Sequence, residues 1–331
     1  MKTLKTAVVG VGHLGQHHLK WLNDLPESDL VGLYDTDQAR ADRFAREYGI
    51  TAFESLEQLA DAVDVASIVV PTTAHYDVAT FLIERGVHCL IEKPVTATLD
   101  EAQHLLNLAR RKKVKVTVGH IERFNPAVLA VREQKVRPSF IEAHRLAAFN
   151  PRGTDVAVVL DLMIHDIDLA LSLIDSTITD IQASAVAVIS QQTDIANARL
   201  TFKNGAVANL TASRISLHEM RKLRIFQKSG YFSLDLARRQ ADIYRLADDT
   251  EEAGGMRFPL GKSGRDILYI KKEDSGRDML KTELETFLRS VADNIPVAVT
   301  LEQGTEALRV ALEVERIGRE SLARMTDSDK T

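Results

Sequence analysis

Thr6-Ala7-Val8-Val9-Gly10-Val11-Gly12-His13-Leu14-Gly15 is the stretch on which the reading of the chain turns. Thr6 to Val9 reads as a short apolar strand running into glycines, and Leu14 to Leu25 has helical spacing. Gly10, Gly12 and Gly15 therefore fall in a strand-to-helix turn as G-x-G-x-x-G, with His13 and Leu14 between the last two. The first glycine permits a tight turn, the second lets backbone approach a pyrophosphate, and the third lets helix and strand pack. Asp35 follows Gly15 by twenty residues, at the end of a second strand, Leu30 to Tyr34. A carboxylate there accepts hydrogen bonds from the adenosine ribose hydroxyls and repels a 2′-phosphate, which predicts NAD as cofactor over NADP. The plainer alternatives are an ordinary βα turn and a turn-forming aspartate.

The pattern continues outward. A charged helix, Asp37 to Tyr48, stops at Gly49, and an apolar strand, Val65 to Val70, closes at Pro71. Helix Ala74 to Arg85, strand Val87 to Ile91, helix Leu99 to Lys113 and strand Val114 to Val118 come next. Strands with little alternation, separated by helices, predict a parallel sheet covered on both faces. After Phe124 the pattern changes. Ser139 to Phe149 reads as a strand and Val158 to Ile174 as an apolar helix. From Ile178 to Leu246 come β-rich runs with no helix between them, Lys203-Asn204-Gly205 marking a hairpin. Glu251 to Asp274, rich in glycine and charge, reads as an excursion. Asp278 to Asn294 and Gln303 to Ser321 read as closing helices. The expected fold is α/β plus α+β: a Rossmann domain over 1–122, then a domain over 123–331 built on a large open, mainly antiparallel sheet.

The 331 residues are too many for one ordinary core, and 45% hydrophobic with 27% charged describes a globular protein. A net charge of -5 argues against a nucleic-acid partner. Met1 to Val11 shows no signal-peptide core, and no segment approaches the roughly 20 apolar residues that span a bilayer. A cytoplasmic protein with no membrane association is expected. Cys89, the single cysteine, sits in an apolar strand and reads as a core thiol.

Two further motifs carry chemistry. Glu92-Lys93-Pro94 ends the strand Val87 to Ile91, on the sheet edge where such folds bind ligands. Asp161, His165, Asp168 and Ser172 fall on one face of the apolar helix at helical spacing. Buried acids and a histidine need partners, and a ligand cleft is one way to provide them. Asp161 can hold the imidazole tautomer while His165 exchanges a proton. Two acids and one histidine lack a clear fourth metal ligand, so no metal site is read.

G-x-G-x-x-G, then E-K-P, then D-x-x-x-H in this order resembles the Gfo/Idh/MocA family of oxidoreductases, over nearly the whole chain. The resemblance implies that Lys93 and His165 flank the reacting carbinol with Asp161 assisting, and that Pro71, Thr72, His75 and Glu92 join the cofactor site; His75 reads equally as a helix-start residue. It also implies a homodimer or homotetramer formed through the second domain's sheet. There, Ala183, Ala185, Ala187, Ala206, Ala208 and Ala212 suggest a flat face of small residues. A narrower resemblance lies in Gly119-His120-Ile121-Glu122-Arg123-Phe124-Asn125-Pro126 and Pro151-Arg152-Gly153-Thr154-Asp155-Val156. These are similar to bacterial UDP-N-acetylglucosamine 3-dehydrogenases, which oxidise the sugar C3 hydroxyl for lipid A precursors. Arg123, Asn125, Arg152, Asp168 and Arg214 are then the expected substrate contacts, the arginines because guanidinium binds phosphate oxygens bidentately. Other substrates remain open within the family: an inositol, another nucleotide sugar, or biliverdin. A non-catalytic NAD-binding sensor is the alternative from a different class.

Overall fold

The computed structural model describes residues 3–134, 136–150, 156–247, 255–260 and 265–328. Contacts divide the chain into two units, 1–121 with 278–308, and 122–277 with 309–331.

The first unit alternates β1 (Leu4–Val9), α1 (Gly15–Asp24), β2 (Ser28–Tyr34), α2 (Gln38–Tyr48), β3 (Thr51–Ala52) and α3 (Leu56–Ala62). It continues with β4 (Val65–Ile68), α4 (Thr72–Glu84), β5 (His88–Glu92), α5 (Leu99–Lys112) and β6 (Val116–Gly119). The strands pair in parallel in the order β3-β2-β1-β4-β5-β6. That is the doubly wound dinucleotide-binding order, with its reversal beside β1. Local chemistry sets the helix ends. Asp37 accepts the Arg40 N–H to start α2, Gly49 ends it at φ 68°, and Thr98 with Glu101 forms a reciprocal capping box on α5.

The second unit begins with α6 (Pro126–Arg132) and β7 (Phe140–Leu146), then a π-helical turn, Val159–Met163, that runs into α7 (Ile164–Leu173). Strands β8 (Ile178–Val186), β9 (Ile195–Phe202), β10 (Val207–Ser213), β11 (Met220–Gln227), β12 (Gly230–Asp235) and β13 (Gln240–Leu246) come next. The described residues then add β14 (Met256–Pro259) and β15 (Asp266–Lys272), before α8 (Met279–Ala292) and α9 (Leu301–Ser328). The sheet has nine strands, β14-β15-β13-β12-β11-β7-β10-β9-β8, antiparallel except for the β7–β10 pair.

Three expectations are corrected. The segment read as an excursion supplies two sheet strands: Ile267-Leu268-Tyr269-Ile270 alternates half-buried with buried side chains against β13. The closing helices do not both belong to the second unit. Leu280, Leu284, Phe287 and Leu288 of α8 join the core of Leu4, Leu19, Leu22 and Leu33 in the first unit, and α9 passes to the second only from Arg309.

The alanines do not form an outer face. Ala185, Ala206, Ala208 and Ala212 are buried, and a Cβ on Gly318 of α9 would lie 2.8 Å from that of Ala185, so small residues let a helix approach the sheet. The opposite face carries a register row of large side chains. Phe140, Phe226, Tyr231, Tyr244 and Tyr269 lie side by side across β7, β11, β12, β13 and β15, with successive ring centroids 5.6, 4.9, 5.7 and 4.9 Å apart. Met256 pairs with Tyr269 and extends the row.

Candidate active site

In the first unit the site grows from backbone proximity. Gly10 has φ +88°, and a Cβ there would come within 2.6 Å of the Val69 carbonyl oxygen. A Cβ on Gly15 would run into the carbonyl of Gly10, so any side chain at either position would push α1 off the strand ends. Gly12 meets nothing within 4 Å and leaves its side of the turn open. Helix α1 starts with neither a side-chain cap nor an acid in its first turn, so its N–H groups suit an anion.

Gly10, Gly12 and Leu14 line a cavity of about 710 Å³ together with Asp35 at the end of β2. Pro71, Thr72 and His75 after β4 line the same cavity, as do Glu92 and Lys93 at the end of β5. Gly15 works from behind the turn, and the His13 ring stands edge-on to His17 at 5.6 Å. Asp35 is aimed by backbone: the Val11 N–H donates to Oδ2 at 2.8 Å and the Asp37 N–H to Oδ1 at 2.9 Å. The group fits an NAD: an anion-ready helix start, a turn without side chains, and a carboxylate where a ribose diol would sit.

Arg40 also lines the cavity and was not singled out from sequence. Its Nη1 lies 3.4 Å from Asp35 Oδ2 and its Nη2 2.8 Å from Asp37 Oδ2, so two acids restrain it. The signal available was a cation in the first turn of α2, three residues after the capping aspartate.

His75 and Glu92, expected against the cofactor, are engaged with the protein as well. Both His75 ring nitrogens meet backbone carbonyls, Pro94 at 2.8 Å and Val70 at 2.9 Å, and burial lowers its pKa. Glu92 sits beneath the turn, with Oε1 3.3 Å from His18 Nε2.

In the second unit, Asp161 lies in the π turn and His165 in the first turn of α7, both half-buried. The widened turn shifts Asp161 relative to the later side chains, while His165, Asp168 and Ser172 keep regular helical spacing in α7. Asp168 is buried and bidentate with Arg123, at 2.7 and 2.6 Å. Ser172 donates to the Leu169 carbonyl within the helix.

Asp166, one residue from His165, receives Arg145 bidentately at 2.9 and 2.9 Å, and the third arm of Arg145 reaches Glu122 at 2.9 Å. Burial works against the Arg145 charge, but the two carboxylates overcome it and raise its pKa. Asn125 caps α6 and donates to Glu122 and to the Leu236 carbonyl. Thus Arg123, Asn125 and Asp168, expected to touch substrate, are buried partners that brace α6 and α7. Arg214 is buried and donates to the Val156 carbonyl. Arg152 lies outside the described residues. Arg145, Glu122 and Asp166 were missed, since an arginine inside a strand gives no local sign of its partners.

Removing Arg145 as Arg145→Met would leave Asp166 and Glu122 buried without their cation. The expected loss is about 3–5 kcal/mol in urea unfolding. Parent-like unfolding would contradict the bracing role.

Residues 4–120 match the family model described as "Oxidoreductase family, NAD-binding Rossmann fold", and residues 134–233 match the GFO/IDH/MocA C-terminal domain. The UDP-N-acetylglucosamine 3-dehydrogenase of Acidithiobacillus ferrooxidans is 38% identical over 94% of this chain and 96% of its own. Its solved structure superposes with a TM-score of 0.87, at 36% identity over 97% of this chain and 99% of that one. The scyllo-inositol 2-dehydrogenase (NAD(+)) of Bacillus subtilis is 28% identical over 64% of this chain and 68% of its own. The turn, the parallel sheet order, the second sheet and near end-to-end similarity agree: the chain belongs to the Gfo/Idh/MocA family of NAD-binding oxidoreductases.

Proposed function

We propose that the protein oxidises the C3 hydroxyl of UDP-N-acetylglucosamine to the 3-keto sugar, reducing NAD. One observation carries the reading: the relative named for that reaction aligns from end to end at 38% identity, while the inositol enzymes align less closely.

Bound NAD supplies the hydride acceptor for the carbinol hydrogen. The hydroxyl proton must leave as the carbonyl forms. His165 takes it, since an imidazole changes charge near neutral pH, with Asp161 holding the ring's tautomer. Lys93, at the β5 edge of the dinucleotide cavity, donates a hydrogen bond to the alcohol oxygen and keeps it oriented. The reaction releases one ketone, one reduced cofactor and one proton. A cytoplasmic location, where cofactor and nucleotide sugar are both available, is part of the proposal; no described helix is long and apolar enough to cross a membrane.

NADH formation measured against UDP-N-acetylglucosamine, free N-acetylglucosamine and inositols tests the substrate. Two lost contacts to the diphosphate, at roughly 1.5 kcal/mol or more each, would lower kcat/KM for the free sugar by at least about 10²-fold. Equal turnover of free and nucleotide sugar would reject the nucleotide reading. Lys93→Met and His165→Ala should each lower kcat by roughly 10²–10⁴-fold while NAD still binds in a titration. Near-parent kcat in either variant would remove that residue's role.

The proposal includes a homodimer or homotetramer assembled through the nine-stranded sheet. The support is the aromatic row, with Phe226 and Tyr244 each 37% exposed, Met256 57% and Phe258 48%. Such a face matches an apolar interface core better than solvent. Sedimentation should show an oligomer at micromolar concentration, weakened by Tyr244→Glu; a parent that sediments as a monomer would refute this.

A further inference from the structure

The turn that carries Lys93 is held by two buried imidazoles, one on each side of the lysine. His18 on α1 is fully buried; its Nδ1 lies 2.7 Å from Ser67 Oγ on β4 and its Nε2 3.3 Å from Glu92 Oε1. The other Glu92 oxygen, Oε2, accepts the Lys93 backbone N–H at 3.2 Å. On the far side of the lysine, the Pro94 carbonyl lies 2.8 Å from His75 Nδ1, and His75 Nε2 reaches the Val70 carbonyl at 2.9 Å. Backbone of β6 walls in the Glu92 carboxylate: a Cβ on Gly119 would sit 2.8 Å from Oε1.

The chemistry of each contact requires a ring with two nitrogens. His18 stands between a hydroxyl and a carboxylate, and a neutral imidazole serves both when Ser67 donates to Nδ1 and Nε2–H points at Glu92. Burial opposes ionisation of Glu92, yet His18 and the neighbouring Lys93 hold its pKa below the ordinary value. His75 lies within hydrogen-bond distance of carbonyls on two different loops and, as a neutral ring, donates to one of them, which no aliphatic side chain of that size could do.

We propose that His18 and His75 are positioning residues for Lys93: His18 acts through Glu92 on the N-terminal side of the turn, His75 through the Pro94 carbonyl on the other. Neither need touch substrate. A lysine side chain has a long flexible stem, so the place of its nitrogen depends on how firmly its backbone root is fixed. Misplacement by about 1 Å is enough to cost roughly 10²-fold in rate. The inference rests on the reading that Lys93 touches the substrate hydroxyl.

A double-mutant cycle tests it. His18→Asn and His75→Leu are each made in the parent and in Lys93→Met, with kcat, NAD dissociation constant and melting temperature measured for all. In the parent each should lower kcat by about 10- to 100-fold, and His18→Asn, whose site lies outside the cavity lining, should hold NAD affinity within about twofold. In Lys93→Met the same changes should lower the residual kcat by less than about twofold, because the group they position is gone. Equal losses in both backgrounds, or parent-like kcat in the single variants, would overturn the inference. Near-parent kcat in Lys93→Met alone would instead overturn the role of Lys93. If His18→Asn or His75→Leu does not fold, Ser67→Ala and His75→Gln remove less and must show the same dependence on Lys93.

Discussion

A charge removed from water must meet its opposite, and this constraint shapes both units of the protein. In the second unit two guanidinium groups lie beneath the helix that bears His165. Arg123 takes both oxygens of Asp168, and Arg145 takes both of Asp166 and one of Glu122, each contact 2.9 Å or shorter. An unpaired member of such a set costs several kcal/mol, so the arrangement tolerates few alternatives. Buried pairs of this kind add little net stability over an apolar core; their use here is to fix register. They tie α7 to β7 and to the turn before α6, on a segment where His165 and Asp161 are half-buried. In the first unit the buried carboxylate is Glu92, under the Lys93 turn, with Lys93 and the His18 ring beside it.

Much of the first unit was legible because its signals are local. Gly15 is required by the Gly10 carbonyl five residues away and Gly10 by its own φ of +88°, one oxygen of Asp35 is aimed by the nearby Asp37 N–H, and the strands are short apolar runs. The features hidden from a sequence reading are non-local or depend on register. The π turn at Val159–Met163 takes Asp161 off the regular spacing, while His165, Asp168 and Ser172 keep theirs within α7. Arg123 and Asp168 stand out in sequence because both are polar, whereas their pairing with each other across 45 residues leaves no local sign.

The second sheet shows the same limit. Alternation predicted strands but not which face meets the helices, and the alanines turned inward where α9 needed room. The aromatic row is invisible to a linear reading, since its members come from five strands and meet only through register. Glycine and charge between Glu251 and Asp274 suggested an excursion, although Ile267 to Ile270 alternates as a strand should. A segment bounded by residues of weak strand preference can still pair when a neighbouring strand offers an unfilled edge, as β13 does for β15.

The functional account joins these parts into one claim about a single hydrogen. In the proposed reaction the glycine turn and Asp35 hold the dinucleotide, Lys93 orients the alcohol and His165 takes its proton. The fate of the sugar's C3 hydrogen tests that claim most directly. The proposed substrate, UDP-N-acetylglucosamine carrying deuterium at C3, would be incubated with the protein and NAD, and both products weighed by mass spectrometry. The account predicts reduced cofactor heavier by one deuterium and a keto sugar that has lost it. Unlabelled reduced cofactor, or label retained in the sugar product, would contradict oxidation at C3.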